Sequence, residues 1–570
     1  MREPRRPDSG PGVFLLLRRL RAPLILLIVV YAIAVIGMTL MPGKDPSGAP
    51  WRMDFFHAFY FISFLGTTIG LGEIPYPFSP MQRLWATVSI YSTVIAWLYG
   101  IGELLATLQD PLFRRIAHEG RFRRAVARIR EPFVIVCGYG DAGSQITREL
   151  TEDGIRCVVI EKEAERAQVV EVDDLPMNVP ALHAAAMEPD VLIMAGVASR
   201  HCIATLALTG DDAVNLAVTL NARLLAPERQ TVCVAQHHAH QAAMARVGAS
   251  HIINPSDTFA SRLADAIARP SLYVIYEALT TQTLTPASLP PTLPRGRWIV
   301  CGNGRFAKAV RRQLGFLGLE VLTVADPGHA GEDDREITTG PLLDANTLRK
   351  AGIEQAEGIV ITVADDTLAL AVTMLAREMR PGIFTVVRQS EQRNTPLFDA
   401  LGPDLATLSG YVVAAEVLRI VRAPLLSYFL GLARHQDELW AAALLSRLRE
   451  RIGDQIPDSW TLGIGQREAP AVMRLLERGL PVRVGDLMRS PAGWDHALEA
   501  VPLLLQRRRG KVLLPAEEEN LEVGDQLLIC GRPEARSELR WTVQDPAALA
   551  SLCRHAAAGP LPAAGETAHD

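Results

Sequence analysis

The sequence predicts an α-helical membrane domain with two spans and a short re-entrant helix, followed by two α/β lobes and a small α+β domain. Two uncharged runs long enough to cross a bilayer lie within the first 110 residues. A glycine-rich turn after an apolar strand occurs twice in the remainder, and short strand-like segments follow the second copy. A chain of 570 residues is also too long for one hydrophobic core.

Composition excludes several classes of protein. The chain is 49% hydrophobic, which excludes a largely disordered chain. Its 58 basic and 63 acidic residues nearly balance, which excludes a nucleic-acid binder driven by bulk charge. Seven cysteines without a CxxC pair indicate neither a disulfide framework nor a zinc module. We interpret them as small buried residues in a reducing compartment.

The first 110 residues contain three apolar segments of different length. Residues 22–41 carry no charge and would form about 30 Å of helix, which matches a bilayer core. A second span is predicted at about 84–108. Residues 54–65 between them are too short to cross, so we expect a re-entrant helix there. A cleaved signal peptide is the alternative for the first run, but no small-x-small cleavage site follows it.

Arginine placement predicts the orientation of the spans. Six arginines precede the first span and seven lie within residues 114–130, whereas the segment between the spans carries only Lys44, Arg52 and Arg83. By the positive-inside rule both termini face the cytoplasm. Everything after residue 110 is therefore expected to be cytoplasmic.

A loop with two closely spaced glycines follows the short helix. Gly70 and Gly72 let the backbone extend with its carbonyl groups facing one way, and repetition around a four-fold axis would replace the hydration shell of a cation. The alternative is an ordinary two-helix anchor whose loop happens to contain this pattern. The candidate selectivity-filter residues are Thr67, Thr68, Ile69, Gly70, Leu71, Gly72 and Glu73.

The order of span, half-helix, glycine loop and span resembles the prokaryotic two-transmembrane potassium channel family. The segment 68–73 lies where that family has Thr-Val-Gly-Tyr-Gly-Asp. The resemblance implies a homotetramer that conducts K⁺. Leu71 stands in place of the family's tyrosine, so we expect weaker discrimination of potassium over sodium. Gly100 and Gly102 in the second span are candidate gating hinges, with helix packing as the alternative role.

The region after residue 131 contains an internal repeat. Residues 133–143 are echoed by 297–307, and 209–219 by 363–373. Each copy has a buried strand, a glycine turn, an amphipathic helix and a second strand ending in an acid. This is the dinucleotide-binding pattern of a Rossmann-like lobe. The candidate cofactor-binding residues are Gly138, Tyr139, Gly140, Asp141, Ala142, Gly143 and Glu161 in the first lobe, and Gly302, Asn303, Gly304, Arg305, Phe306, Ala307 and Asp326 in the second.

The acids and the residues after each second glycine predict ligand preference. Glu161 and Asp326 would accept from a ribose hydroxyl and disfavour a 2′-phosphate, so NAD or an adenine nucleotide is favoured over NADP. Arg305 would add a cation beside the phosphates, whereas Asp141 would repel them. The second lobe is therefore expected to bind more tightly.

Duplicated lobes after a pore resemble the domains that regulate potassium conductance in prokaryotic channels and transporters. Both lobes depart from that family after the third strand, where it often has Gly-Asp and this chain has His183-Ala184-Ala185 and Gly340-Pro341-Leu342. The predicted divisions are 1–110 pore domain, 111–131 basic linker, 132–276 first lobe, 277–296 linker, 297–424 second lobe, 425–455 helical connector, 456–545 C-terminal ligand-sensing domain and 546–570 disordered tail.

Two further clusters raise the question of a metal ion. Neighbouring histidines such as His237, His238 and His240 seldom converge on a metal without a carboxylate, so we interpret them as a surface or lobe-interface feature. The pairs Asp211-Asp212 and Asp365-Asp366 precede helices, and helix capping explains them without a divalent cation. The metal assignment therefore stays open.

The sequence as a whole predicts a ligand-gated potassium channel of the bacterial inner membrane. It is expected to be a multi-pass homotetramer in the lipid bilayer, gated by a small molecule or ion, with no nucleic-acid partner and no enzymatic activity. One alternative is a membrane-anchored NAD-dependent oxidoreductase, which needs a catalytic acid or base. Another is a regulatory subunit of a potassium transporter, which would not need the glycine loop.

Overall fold

The protein, seen here in a computed structural model, is described for residues 11–70, 72–280, 293–327, 337–453, 457–490, 496–508 and 510–558. It divides into two compact units, Met1–Arg128 and Ile129–Asp570. Three predicted features lie wholly or partly outside the described residues: Leu71, most of the linker 277–296, and residues 559–570 of the tail.

The N-terminal unit is built from long helices joined by a short hairpin. Ser79 starts the second long helix by a reciprocal capping box with Gln82, and Pro80 follows as its first residue. The elements are α1 (Pro11–Leu40), β1 (Pro42–Lys44), β2 (Pro50–Arg52), α2 (Phe55–Gly66), α3 (Pro80–Gln109) and α4 (Pro111–Ala127).

Two helices are long and apolar enough to cross a membrane, over Leu20–Leu40 and Pro80–Thr107. Both helices extend beyond the predicted spans of about 22–41 and 84–108. The apolar run sets only the length that suits lipid, whereas α1 begins before it and includes Arg18, Arg19 and Arg21, and the Ser79 cap fixes the start of α3. The predicted re-entrant helix 54–65 is α2, with Asp54 as its N-cap residue.

Close packing joins the three helices at small residues. A Cβ on Gly37 would lie 2.1 Å from the Trp85 ring, and the Trp85 indole donates to the Ala34 carbonyl at 3.0 Å. A Cβ on Gly66, the last residue of α2, would lie 2.1 Å from the Tyr31 hydroxyl oxygen. Glycine at both positions lets α1 approach its neighbours closely.

Much of the apolar surface of α1 and α3 is exposed. A single chain in water would not present such a surface, so lipid or other copies of the chain are expected to cover it. The exposed side chains include Leu24, Ile25, Leu26, Ile28, Val29, Ile33 and Ile36 on α1 and Leu84, Val88, Tyr91, Ile95, Leu98 and Tyr99 on α3.

The first lobe is a six-stranded parallel sheet of order β5-β4-β3-β6-β7-β8 with helices between the strands. The strand order reverses between β3 and β6, which leaves a crevice at their carboxyl ends. The elements are β3 (Phe133–Cys137), α5 (Asp141–Glu152), β4 (Arg156–Glu161), α6 (Ala164–Val172), β5 (Ala181–His183), α7 (Pro189–Met194), β6 (Cys202–Ala207), α8 (Asp212–Leu225), β7 (Gln230–Val234), α9 (His238–Val247) and β8 (His251–Ile253), then α10 (Pro255–Ala268) and α11 (Pro270–Thr280).

The second lobe repeats this order as β11-β10-β9-β12-β13-β14. The same topology in both sheets agrees with the sequence repeat. Its elements are β9 (Trp298–Cys301), α12 (Arg305–Phe316), β10 (Val321–Ala325), β11 (Ile337–Thr339), α13 (Ala345–Lys350), β12 (Gly358–Ile361), α14 (Asp366–Met379), β13 (Phe384–Gln389), α15 (Thr395–Leu401) and β14 (Leu405–Leu408), then α16 (Ser409–Arg422) and α17 (Pro424–Ala433).

In each lobe, the helix that follows the sixth strand packs on the other lobe. Helix α10 follows the first lobe but packs on α12, where Phe259 stacks on Phe306 at 4.7 Å. Helix α16 follows the second lobe but packs on α5, and Val413 and Val417 complete the apolar core of the first lobe. Each lobe therefore depends on the other for part of its core.

A buried ion pair lies where the exchanged helices meet. Arg262 of α10 and Glu416 of α16 occupy equivalent positions in the repeat and are 3.1 Å apart, with side chains 12% and 8% exposed. The Tyr276 hydroxyl hydrogen-bonds to both groups, and Arg419 also pairs with Glu416. Burial alone would raise the pKa of Glu416, but the charges of Arg419 and Arg262 outweigh it and hold that pKa at about 2.

The C-terminal domain is a four-stranded antiparallel sheet of order β15-β18-β16-β17. Side chains of α11, α17 and α18 (Glu438–Ile452) share a core with two strands of this sheet, β16 (Ala500–Arg507) and β18 (Gln526–Gly531). The elements are α18 (Glu438–Ile452), β15 (Asp458–Gly463), α19 (Pro470–Glu477), α20 (Val484–Leu487), β16 (Ala500–Arg507), β17 (Gly510–Leu513), β18 (Gln526–Gly531), α21 (Pro533–Gln544) and α22 (Pro546–Ala558).

Two predicted boundaries are wrong. The predicted tail 546–570 begins with helix α22, because Asp545 caps it and Leu549 and Leu552 are buried in the core of the C-terminal domain. The predicted end of the first lobe at 276 falls inside α11, because Leu279 continues its buried face. Proline and alanine in these segments start and build helices rather than ending them.

Replacing Glu416 by glutamine should destabilise the protein by about 3–5 kcal/mol, because it leaves Arg262 and Arg419 buried without a counter-charge. Thermal unfolding of the full chain in detergent measures the loss. The pKa of Glu416 is lower in the folded protein than its usual 4.5, so the stabilisation is present above that value and is lost as the pH falls toward 2. Glu171→Gln, outside this cluster, is the control. An unchanged melting temperature in Glu416→Gln would contradict the assignment.

Candidate functional site

The glycine loop after α2 has left-handed backbone at alternate positions. The φ angles of Thr68, Gly70 and Gly72 are 61°, 66° and 92°. A β-branched residue rarely adopts a positive φ, so Thr68 stores strain, and such strain is typical of functional loops. Among the described residues, nothing lies within 4 Å of a Cβ built on Gly70 or Gly72. Backbone conformation, not packing within the chain, therefore requires glycine there.

An ion pair holds the far end of this loop. The Arg83 guanidinium donates to both carboxylate oxygens of Glu73, at 2.7 and 3.1 Å, and the Phe78 backbone N–H donates to the same carboxylate at 2.8 Å. At the near end, the Thr67 hydroxyl donates to the Ser63 carbonyl at 3.0 Å. Both ends of the loop are thus fixed to helices. Ile69 is 65% exposed between them.

The candidate hinge glycines lie within helix α3. A Cβ on either Gly100 or Gly102 would meet no described atom within 4 Å. Packing within one chain therefore does not require glycine at either position. The hinge role and a role in packing between copies both stay predictions.

In the first-lobe glycine turn, packing requires glycine at two of the three glycine positions and leaves room for a side chain at the third. Gly138 has φ +103°, and its Cβ would lie 3.1 Å from the Thr209 backbone nitrogen. A Cβ on Gly143 would lie 2.0 Å from the Gly138 carbonyl oxygen. At Gly140 the nearest group is the Arg166 guanidinium at 3.8 Å. The second glycine is therefore the one that packing leaves open, as expected where a phosphate approaches the backbone.

The acid at the end of β4 closes this turn. Glu161 is buried, and its carboxylate accepts from the backbone N–H groups of Tyr139 and Glu163 at 2.5 and 2.9 Å. The Tyr139 hydroxyl donates to Asp173 at 2.8 Å, and burial raises the pKa of this hydroxyl above its usual range. A carboxylate has further lone pairs, so Glu161 remains able to accept from a ribose hydroxyl.

A cleft of about 1320 Å³ opens on the first-lobe turn. Tyr139, Gly140 and Asp141 line it from the first lobe, and Gln392 and Tyr411 line it from the second. No side chain of the described residues caps the N-terminus of α5, which leaves a favourable position for an anion. Ala142 lies beside Asp141 at the edge of the first-lobe core.

The second-lobe turn has the same geometry. Gly302 has φ +115° and no room for a Cβ, which would lie 2.6 Å from the Thr362 hydroxyl, whereas Gly304 is open. No described side chain caps α12. The remaining candidates are placed as follows: Asn303 between the two glycines, Phe306 and Ala307 buried against α10, and Asp326 accepting from the Leu342 N–H at 3.3 Å.

The side chain of Arg305 differs from its expected role. Its guanidinium donates to Gln236 Oε1 at 2.6 Å and also contacts His237 Nε2, so it reaches across to the first lobe instead of lying over the α12 N-terminus. The sequence shows a cation after the second glycine but not the partner beside it. Arg166, for which the sequence gives no signal, lies 3.8 Å from a Cβ built on Gly140 and also pairs with Glu163 at 3.0 Å.

Residues 134–255 and 298–408 match the TrkA-N domain. This confirms the resemblance of the duplicated lobes to regulatory domains of potassium-conducting proteins, and two curated relatives extend it. Potassium channel protein 1 of Methanocaldococcus jannaschii is 26% identical over 204 residues, 35% of this chain and 59% of the relative.

Probable potassium channel protein 2 of the same organism is 27% identical over 232 residues, 39% of this chain and 63% of the relative. The chain thus spans less than two thirds of the length of either relative. Among solved structures, the GsuK channel bound to NAD is similar with a TM-score of 0.47 and 16% identity, covering 94% of this chain and 99% of that one.

The glycines of the first turn should respond differently to alanine. Gly138→Ala should destabilise the protein by about 1–3 kcal/mol, because alanine is strained at positive φ and its Cβ meets backbone. Gly140→Ala should leave stability nearly unchanged, because its Cβ has room. Thermal unfolding of the two variants in detergent tests this. Equal melting temperatures would show that the two positions do not differ as described.

Proposed function

We propose that this chain is the subunit of a homotetrameric potassium channel whose cytoplasmic TrkA-N lobes bind an adenine nucleotide. The observation that carries the proposal is the strained loop from Thr67 to Glu73 between two helices of membrane length. Left-handed residues at alternate positions orient carbonyl groups for a dehydrated cation. Four copies around one axis would complete the filter, and the exposed apolar faces of α1 and α3 supply surfaces for lipid and for neighbouring copies.

The channel would lie in the bacterial inner membrane with both termini in the cytoplasm. The arginines at the N-terminal side of the first predicted span and within α4 support this orientation. Helix α4 follows α3 after a break at Asp110 and leads along the chain to the first lobe, so it would transmit a displacement of the lobes to the second span. Gly100 and Gly102 would then permit α3 to bend.

The ligand would be NAD or another adenine nucleotide. In the first lobe the open backbone at Gly140, the uncapped N-terminus of α5 and the nearby Arg166 suit a phosphate group. Glu161 suits a ribose with a free 2′-hydroxyl and would repel a 2′-phosphate. We therefore propose the first lobe as the tighter site, because Arg305 of the second lobe is engaged by Gln236 and His237.

The nucleotide would have a regulatory role with no turnover, and the two curated relatives are named as channels. A membrane-anchored oxidoreductase is distinguished from it by hydride transfer. Incubation of the purified chain with NADH and a panel of carbonyl substrates would reveal that activity as loss of the NADH absorbance.

Replacing Gly70 by valine should abolish K⁺ flux into liposomes. Valine at φ +66° costs about 1–3 kcal/mol of backbone strain in a loop with open space, so the helices should fold and assemble while the filter loses its conformation. Gly48→Val is the matched control, because Gly48 has φ +85° and open space in the β1–β2 turn. Unchanged flux in Gly70→Val, with an unchanged oligomer by size exclusion, would overturn the pore assignment.

An aspartate at the second glycine of each turn should separate the two nucleotide sites. Gly140→Asp places a carboxylate where a phosphate would approach, so it should weaken ADP binding to the full chain at least tenfold, about 1.4 kcal/mol or more. Gly304→Asp should have the smaller effect. Calorimetry on both variants in detergent measures this. The opposite order would assign the tighter site to the second lobe, and no ADP binding by the unaltered chain would make both lobes scaffolds.

A further inference from the structure

Histidines and a carboxylate converge at the carboxyl edge of the first-lobe sheet, away from the glycine turn. Asp212 at the start of α8 faces His237 and His240 at the start of α9, and one ligand atom from each lies within 4.8 Å of the others. Asp212 Oδ2 is 2.7 Å from His237 Nδ1 and 3.6 Å from His240 Nδ1. The histidine segment therefore has the carboxylate that its sequence alone does not reveal.

Burial and backbone hydrogen bonds hold the carboxylate of this cluster in a fixed position. Asp212 is only 6% exposed, and the backbone N–H groups of Gln236 and His237 hold its two oxygens at 2.8 and 2.9 Å. The Nδ1 atom of His240 is inaccessible to solvent and has no hydrogen-bond partner among the residues that the structure describes. A buried imidazole nitrogen without such a partner, aimed at a fixed carboxylate, is a position that a metal ion satisfies.

The second lobe provides an internal comparison. Asp366, equivalent to Asp212, accepts from the backbone N–H groups of Ser390 and Glu391 at 2.7 and 3.1 Å. Asn394, equivalent to His240, donates its amide to Asp366 at 2.7 Å and satisfies the carboxylate. In the second lobe, hydrogen bonds within the protein thus satisfy the carboxylate at this position. In the first lobe two imidazoles replace Glu391 and Asn394.

We propose that Asp212, His237 and His240 bind a divalent transition metal of the Zn²⁺ class at the junction of the two lobes. Two imidazoles and one carboxylate suit Zn²⁺, Co²⁺ or Ni²⁺, whereas Ca²⁺ and Mg²⁺ prefer oxygen ligands alone. Three protein ligands leave one tetrahedral position open to solvent. The present spacing of the three groups needs only small side-chain rotations to bring each within about 2.0–2.2 Å of one ion.

Metal binding at this site acts on Arg305. The partners around His237 place its ring proton on Nδ1, facing Asp212, so that Nε2 accepts from Arg305. Coordination through Nδ1 moves that proton, through solvent, to Nε2, where it opposes the guanidinium donor. The positive ion also repels the guanidinium. Arg305 is then released from the first lobe and becomes available at the N-terminus of α12. This second step rests on the proposed nucleotide-binding function, whereas the metal site does not.

The test is Zn²⁺ binding to the purified full chain in detergent, measured by competition with a chromophoric chelator. One tight equivalent per chain is expected. His240→Asn copies the second lobe and should preserve the fold, but it should weaken binding by more than about 100-fold, since loss of an outer-shell partner alone costs about 10- to 100-fold. His238→Asn is the matched control, because His238 lies outside the cluster beside Gln241.

Arg305→Met tests the coupling without nucleotide. Removing the competing cation should tighten Zn²⁺ binding several-fold. Equal Zn²⁺ affinity in the unaltered chain and His240→Asn, with an unchanged melting temperature, would overturn the metal site. Weaker binding in Arg305→Met would overturn the displacement of Arg305. Both results are Zn²⁺ affinities and depend on neither ion conduction nor nucleotide binding. Failure of the metal site can therefore be distinguished from failure of the proposed channel function.

Discussion

The buried pairing of Arg262 with Glu416 organises the contact between the two lobes. The two residues occupy the same position in the two copies of the repeat, so they meet near the pseudo-two-fold axis that relates the lobes. Two first-lobe copies paired in this way would oppose arginine to arginine, and two second-lobe copies would oppose glutamate to glutamate. Opposite charges at equivalent positions favour the pairing of unlike lobes, since an unpaired charge in this environment is costly. Arg422 with Glu149 and Arg312 with Asp257 add ion pairs where the exchanged helices contact the lobes.

This pairing determines what each glycine turn faces. Because α16 crosses to the first lobe, Gly410 approaches Asp141 and second-lobe residues line the first-lobe cleft. Because α10 crosses to the second lobe, Arg305 comes within reach of Gln236 and His237. Each candidate ligand site is therefore made of residues from both lobes. A ligand at either turn would therefore contact both lobes and act on the junction between them.

Features with a local signal could be predicted from the sequence. The spans, the short helix and the strand–glycine–helix pattern each depend on residues that are neighbours in sequence. The internal repeat then predicts that the second lobe has the same fold as the first. The role of Arg305 could not be predicted, because its partners are 68 and 69 residues away in sequence and depend on the exchange of helices. The carboxylate beside the histidines could not be predicted because Asp212 lies 25 residues before His237, and the two meet only when α8 and α9 pack side by side. Helix α22 could not be predicted because a composition rich in alanine and proline is also typical of disordered tails; in the structure Pro546 starts the helix and Leu549 packs in the core of the C-terminal domain.

The crossing of α10 and α16 bears on how the chain acquires its structure during synthesis. When the ribosome has completed the first sheet, the apolar face of α5 still lacks Val413 and Val417, which are made more than 140 residues later. Helix α10 is likewise complete before α12, the helix on which it packs. The first lobe therefore leaves the ribosome with an uncovered apolar face, which α16 of the second lobe covers later. A gene fragment encoding one lobe would leave that face exposed to solvent, and a break in the chain after α17 would expose the apolar side chains of α11 and α17 that pack against β16 and β18.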